Sequence, residues 1–280
     1  MQTIISANEL THKIEELKAQ SKTIGFVPTM GALHQGHLSL VTQAQKECDV
    51  VVASIFVNPK QFNDKNDFKL YPRTEQRDLQ QLEDAGVAIV FTPTVEEVYP
   101  PDYQAPNITF NHLENKMEGA QRPGHFAGVA AVVNRFFEVI MPHRAYFGKK
   151  DYQQLVIIRH LVSKLNFPIT IVACPISREE NGLARSSRNE RLSDDARQLA
   201  GVVFHTLVWA KEHVHQFSPQ ELSRKIIDQI NKPGIQIEYI QIADAENLEE
   251  INVWEADRQA VVFAAITLEG VRLIDNMPLF

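Results

Sequence analysis

The chain has 280 residues, 44% hydrophobic and 22% charged, with a formal net charge of −7, a length that suits one domain with a smaller companion and an acidic balance that excludes a generally basic nucleic-acid surface. Two cysteines, Cys48 and Cys174, are too few for a disulfide framework or a cysteine-based zinc site. The opening MQTIISANEL has neither the basic nor the apolar region of a secretory signal, and the apolar run of the central strand breaks at Ser54, far short of a membrane span, so the expectation is a cytoplasmic enzyme with no membrane partner.

In chain order, Ser6 and Glu9 have the spacing of a capping box and predict a helix over roughly 7–20. TIGFVP reads as a short strand ended by Pro28, followed by a helix from about Gly36 to Glu47. DVVVASIFVN is too continuously apolar for a strand with one wet face and predicts a central parallel strand. RDLQQLEDAG is an amphipathic helix stopped by Gly86, and VAIVFTP is the next buried strand. HFAGVAAVVNRFFEVIMP is helical, RAYFG extended, YQQLVIIRHLVSKLNFP helical and ITIVACP extended. Such alternation predicts a doubly wound, Rossmann-like α/β sheet, with ligands at the carboxyl ends of its strands, where the loops at Pro28, Asn58, Gly148 and Pro175 begin.

After about Ser177 the pattern changes. LSDDARQLAGVVFHTLVWAKEHVHQF reads as one long helix, and Ser218-Pro219-Gln220-Glu221 opens another that Pro233-Gly234 closes. IQIEYIQIAD alternates with period two, and RQAVVFAAITLEGVRLID reads as a hairpin turning near Glu269-Gly270. The expected organisation is an α/β domain over 1–176 and a smaller α+β domain with an antiparallel sheet over 177–280.

The segment PTMGALHQGH carries the first chemistry. A helix N-terminus offers unpaired N–H groups and the positive end of a dipole. Gly31 and Gly36 let a ligand approach the backbone, and His34 and His37, three apart, share one face. Two such imidazoles suit donation to phosphate oxygens or ligation of a transition metal, although no thiol lies nearby and no HExxH pattern exists. Two further clusters follow predicted strands: Lys149-Lys150-Asp151, and Ser186-Ser187-Arg188. Their placement in an acidic chain favours an anion site over a solvated surface. Asn58 and Gln61 in FVNPKQF, with Gln154 one turn beyond Lys150, supply uncharged amides for a small polar substrate. Arg122 in RPGHFAGV faces an anionic group or belongs to a structural proline turn.

Six segments in order, PTMGALHQGH, FVNPKQF, YPRT, RPGHFAGV, GKKDYQQL and SSRN, closely resemble the pantoate–β-alanine ligase family across essentially the whole chain. The resemblance implies a nucleotidyltransferase of the HIGH-motif type that condenses (R)-pantoate with β-alanine through a pantoyl adenylate, using ATP as substrate and Mg²⁺, as a homodimer whose small domain closes over the active site. It assigns His34, His37, Lys150 and Arg188 to catalysis. ATP falls to Met30, Gly31, Ala32, Leu33, Gln35 and Gly36 with the two histidines, to Gly148, Lys149, Lys150 and Asp151, and to Ser177, Arg185, Ser186, Ser187 and Arg188. Gln61 and Gln154 fall to the substrate, where the reading of its own loop also places Arg122, and Asp78 with Gln81 to the metal. Two positions depart from the family pattern: Arg185 replaces a usually apolar residue and Lys149 a usual glutamate or glutamine. Both add positive charge beside the expected nucleotide, which implies tighter and more salt-sensitive binding.

Overall fold

The structure is a computed structural model that describes residues 1–63 and 65–280. The chain divides into two compact units, Met1–Gly148 with Gln153–Cys174, and Lys149–Tyr152 with Pro175–Phe280. The predicted boundary after residue 176 thus falls two residues beyond Cys174, and the second unit also takes the short segment that follows Gly148.

In the first unit the elements run β1 (Gln2–Ile4), α1 (Ala7–Ala19), β2 (Ile24–Thr29), α2 (Gln35–Glu47), β3 (Val50–Ile55), α3 (Lys65–Leu70), α4 (Glu75–Asp84), β4 (Ile89–Phe91), α5 (Val95–Val98), α6 (Met117–Gln121), α7 (His125–Ile140), β5 (Arg144–Gly148), α8 (Tyr152–Lys164) and β6 (Thr170–Cys174). The six strands pair in parallel in the order β1-β4-β3-β2-β5-β6. From β2 the chain builds outward to β3 and β4, then returns to place β5 and β6 on the other side. The loop after β2 therefore leaves the sheet at its switch point, where doubly wound folds bind ligands. Val51, Ala53, Leu82, Val90 and Tyr146 pack with Leu40, Val41 and Ala44 of α2 in one apolar cluster. Phe26 and Phe91 meet Phe136 of α7 edge to face, so β2 and β4 are covered on both faces.

Three details differ from the sequence reading. Ser6 caps α1 by backbone position, but its side chain makes no cap bond. The amide of Ala7 instead donates to Glu97 Oε2 of α5 at 2.8 Å, so a distant carboxylate takes up an amide at the helix start. Pro28 lies inside β2, paired with Ser54. The Thr29 carbonyl accepts from Phe56 on the β3 side, so by alternation Pro28 faces β5, whose pairing with β2 has ended at Phe26 and Ala145. No neighbour there needs the missing N–H. Finally, β1 is a three-residue edge strand too short to show a pattern.

The second unit contains α9 (Asp194–Glu212), α10 (Pro219–Ile230), β7 (Ile235–Asp244), β8 (Ala260–Leu268) and β9 (Val271–Pro278), with the strands antiparallel in that order. The long predicted helix stops at Glu212 and is followed by a 3-10 turn over Val214–Gln216. The Ser218–Glu221 capping box forms as expected. Glu269 and Gly270, with φ of 50° and 72°, make the two-residue left-handed turn that suits a tight hairpin. Leu207 of α9, Leu222, Ile226 and Ile230 of α10, and Val262, Ala264 and Ile266 of β8 form the core.

A close backbone approach seats α7 on the turn that carries Gln61. At Gly128 an added Cβ would lie 2.2 Å from the Lys60 carbonyl oxygen. Gly128→Ala is expected to lower stability by about 1–3 kcal/mol, read as a fall in the denaturation midpoint by circular dichroism. A midpoint equal to the parent would contradict this packing.

Candidate active site

The loop between β2 and α2 is built from the sheet outward. Thr29 donates its hydroxyl to the Ser54 carbonyl at 2.6 Å and accepts the Gly31 amide at 3.2 Å. Gly31 and Ala32 are both left-handed, with φ of 77° and 49°, which bends the chain back sharply at a cost in strain for the alanine. The buried Asp78 of α4 holds this bend. Its Oδ2 accepts from the Ala32 amide at 2.8 Å and from the Thr74 hydroxyl at 3.1 Å, and its Oδ1 accepts from the Leu33 amide at 2.8 Å. A Cβ on Gly31 would stand 3.0 Å from that Oδ2, so the glycine serves both the φ and the close approach.

This geometry weighs against the metal expectation for Asp78 and Gln81. Both Asp78 oxygens are taken by donors of the loop and of Thr74. Gln81 contributes a single buried amide oxygen, which has no hydrogen-bond partner, and one neutral oxygen beside a committed carboxylate does not make a cage for a hard cation. Among the described residues no group of three or more His, Cys, Asp or Glu is arranged to hold a metal. These residues do not fit a protein-held Mg²⁺.

At the start of α2, His34 occupies the capping position with extended backbone, and its Nδ1 accepts from the Gly36 amide at 3.0 Å. His37 Nδ1 accepts from the His34 amide at 3.3 Å, and the two rings stack with centroids 4.1 Å apart. An Nδ1 that receives a backbone hydrogen cannot carry its own, so each neutral ring bears its proton on Nε2. Two Nε2–H groups are thereby set side by side at a helix N-terminus. A metal on either Nε2 would require the other tautomer and cost that ring its backbone hydrogen bond, which favours donation to an anion over metal ligation. Gln35 is exposed, and Leu33 is buried in the first unit's core.

Beside this loop lies an amide cluster. Gln61 ends a 3-10 turn over Pro59–Gln61 and is 8% exposed. Its Oε1 accepts from Asn58 at 3.1 Å, and its Nε2 donates to the Met30 sulfur. Its backbone carbonyl accepts from His125 Nδ1 at 2.8 Å and, more weakly, from Arg122 Nη2 at 3.5 Å. With Nδ1 donating, His125 presents Nε2 to Arg122 Nη1 at 3.1 Å. The Arg122 guanidinium therefore braces the backbone of the Gln61 turn. Asn58 is likewise internal: it also donates to the Gly128 carbonyl and accepts from Lys60 and from the Tyr99 hydroxyl. Gln154 is half-buried on α8. Its buried neighbour Gln153 ties α8 to the Leu113 and Lys116 carbonyls and to the Glu118 amide. The supporting roles of His125, Tyr99 and Gln153 leave no mark in composition or spacing, since each depends on a partner far along the chain.

In the second unit, Lys149, Lys150 and Asp151 form a 3-10 turn directly after Gly148, with Lys150 Nζ 3.8 Å from Asp151. The loop after Cys174 is pinned by an antiparallel bridge between Arg178 and Ala184 and by the Arg185 amide, which donates to the Ser177 carbonyl at 2.9 Å. Ser186 caps a second 3-10 turn, Ser187–Arg191, by accepting from the Arg188 amide. The Arg185 Nε donates to the Arg178 carbonyl at 3.0 Å, so this departure from the family pattern also braces its own loop. Asn189 donates to Glu179 and to the Ala184 carbonyl, and Arg197 grips Glu179 at 2.6 and 2.8 Å. Burial works to raise the Glu179 carboxyl, but the Arg197 guanidinium and the Asn189 amide reverse it and hold its pKa below the ordinary glutamate value.

Two outcomes follow from this geometry. Asp78→Asn places an N–H against backbone donors and is expected to cost about 1–3 kcal/mol of stability, measured by urea denaturation; an unchanged midpoint would contradict the loop bracket. Because the Glu179 pKa is depressed on folding, its contribution is present above the unfolded value of about 4.3 and is lost as pH falls through the folded value. The thermal midpoint of the parent should therefore exceed that of Glu179→Gln near neutrality and converge on it in acid. A gap that stays constant with pH would contradict the pairing.

Against known proteins, the pantoate–β-alanine ligase family model matches residues 2–278. The chain is 45% identical over 279 residues to a pantothenate synthetase of Porphyromonas gingivalis, covering 99% of each, and 46% identical over 281 residues to that of Christiangramia forsetii, covering 100% of this chain and 99% of the relative. Among solved structures it is similar to the pantothenate synthetase of Thermus thermophilus, with a TM-score of 0.92 at 41% identity and complete coverage of both chains. It is also similar to the pantoate–β-alanine ligase of Francisella tularensis complexed with β-γ ATP and β-alanine, with a TM-score of 0.80 at 35% identity, covering 100% of this chain and 98% of that one. With a six-stranded parallel sheet, a small antiparallel sheet and a family match over nearly its full length, the chain belongs to the pantoate–β-alanine ligase family.

Proposed function

We propose that this protein condenses (R)-pantoate with β-alanine at the expense of ATP. The carboxylate of pantoate attacks the α-phosphorus of ATP, forming an acyl–phosphate anhydride bond as the bond to pyrophosphate breaks. The amine of β-alanine then attacks the acyl carbonyl of the adenylate, forming the amide and expelling AMP, while the ammonium proton is released to solvent. The observation that carries this reading is the His34–His37 pair, whose Nδ1 atoms are tied to the backbone so that each ring presents an Nε2–H.

Such chemistry needs little covalent help from the protein. Negative charge shifts onto the leaving pyrophosphate, and preorganised donors that meet it there lower the barrier. His34 and His37, with the α2 N-terminus behind them, take the phosphates. Lys150 and Arg188 add a point charge and a fork of donors to the same reaction. Met30 through His37, Gly148 through Asp151, Ser177 and Arg185 through Ser187 complete the nucleotide contacts, and Gln61 and Gln154 take pantoate. Arg122 acts through the Gln61 turn that it braces. Support for the ligands comes from the Francisella tularensis relative, crystallised with β-γ ATP and β-alanine. Mg²⁺ would accompany the triphosphate in this reading and neutralise part of its charge.

A homodimer in the cytoplasm completes the proposal. No helix among the described residues is long and apolar enough to cross a membrane, and Cys48 and Cys174 stand as thiols rather than as a disulfide, which suits a reducing compartment.

The test is isotope exchange between pyrophosphate and ATP without β-alanine. Exchange that requires pantoate, and that falls about 100-fold or more in His34→Ala, is the expected result. Exchange supported by a different acid, or none with pantoate in folded protein, would overturn the assignment.

A further inference from the structure

Strand β9 buries two adjacent polar residues, Asp275 and Asn276, at 6% and 3% exposure. Each grips a different segment of the second unit. Asn276 Nδ2 donates to the carbonyls of Lys149 and Lys150, both at 2.9 Å, so the two hydrogens of one amide meet two consecutive carbonyls of the turn that carries Lys150. Its own backbone amide donates to Asp275 Oδ1 at 2.8 Å. Asp275 holds Arg178 in a two-point fork at 2.6 and 2.9 Å.

Arg178 passes that hold into the loop. Its Nη1 donates to the Gly182 carbonyl and its own carbonyl accepts from Arg185 Nε, both at 3.0 Å. Its guanidinium lies over the Phe204 ring at 4.2 Å, and Phe204 packs so closely on Gly182 that a Cβ there would lie 2.1 Å from it. A buried ion pair returns little net stability over an apolar pair of similar volume. Here its partners, and those of the adjacent amide, are the backbones of the two segments that bear the basic side chains, which argues for placement over stabilisation.

We propose that Asn276 is a positioning residue for Lys150, and that Asp275 does the same for the Ser177–Arg188 loop through Arg178, so that two neighbours on β9 fix both cationic segments. This rests on the role given above to Lys150. Lysine has a flexible stem, and only its backbone can be fixed by the fold. Displacing that backbone by about 1 Å loses on the order of 100-fold in rate.

The test is a mutant cycle read by radiolabelled pyrophosphate exchange, normalised to folded protein. Asn276→Ala is expected to lower pantoate-dependent turnover about 10- to 100-fold while the KM for pantoate stays within about twofold of the parent. In a Lys150→Ala background the same change should cost less than about twofold, and in a His34→Ala background its full effect should persist. If Asn276→Ala does not fold, Asn276→Ser, which keeps one donor, carries the same cycle with a smaller loss. Parent turnover in either folded variant, or an equal loss with and without Lys150, would overturn the positioning role, since a merely structural residue acts alike in every background. Parent-like exchange in Lys150→Ala would instead remove the function assigned to Lys150, a result separable from the behaviour of Asn276.

Discussion

A single buried carboxylate holds the loop between β2 and α2 in place. Asp78 receives the amides of Ala32 and Leu33 and the hydroxyl of Thr74, and without it the left-handed bend at Gly31 and Ala32 keeps only the Thr29 hydroxyl on the Gly31 amide to oppose its strain. Charge-assisted bonds of this kind are stronger than neutral ones, and these lie where water does not compete. The bend in turn sets where α2 begins. Because α2 begins at Gln35, His34 falls at the capping position and His37 one turn on, and the backbone amides there decide which nitrogen of each ring carries the proton. The tautomer of both histidines is thus a consequence of backbone geometry.

The second unit uses the same logic. Its basic side chains project from short turns, and short turns have little rigidity of their own. Asn276 supplies it for the Lys149–Asp151 turn, and the Asp275–Arg178 fork supplies it for the loop that leads to Arg188. Burial pushes the Asp275 carboxyl up, and the Arg178 guanidinium and the nearby Lys150 charge oppose that push. In both units polar residues buried on regular elements hold loops whose own sequences would not fix them.

Much of this was legible in the sequence because the signals are local. The continuous apolar run at Val50–Ile55 is a strand buried on both sides, the Ser218 capping box forms, and the histidines three apart share a helix start. Other features were illegible for a common reason: each depends on a partner distant along the chain. Ser6 looked like a capping-box residue, yet Glu97, 90 residues on from Ala7, took over the helix start. Pro28 looked like a strand end, because nothing local tells that β5 stops pairing before it. Asp78 looked available to a cation, because the amides that occupy it lie 45 and 46 residues back. Arg122 read either as facing an anionic group or as part of a proline turn, and its engagement with His125 and the Gln61 carbonyl emerges only when α7 packs on the 3-10 turn.

The central claim is that His34 and His37 are neutral Nε2–H donors aimed at nucleotide phosphate. Histidine side-chain ¹⁵N NMR, with assignments from His34→Gln and His37→Gln, measures it directly. The account predicts that both rings are Nε2-protonated in the free protein, and that both Nε2 resonances shift on adding pantoate with a non-hydrolysable ATP analogue while Nδ1 stays unprotonated. An Nδ1–H tautomer in either ring, or Nε2 resonances unmoved by saturating nucleotide, would contradict it.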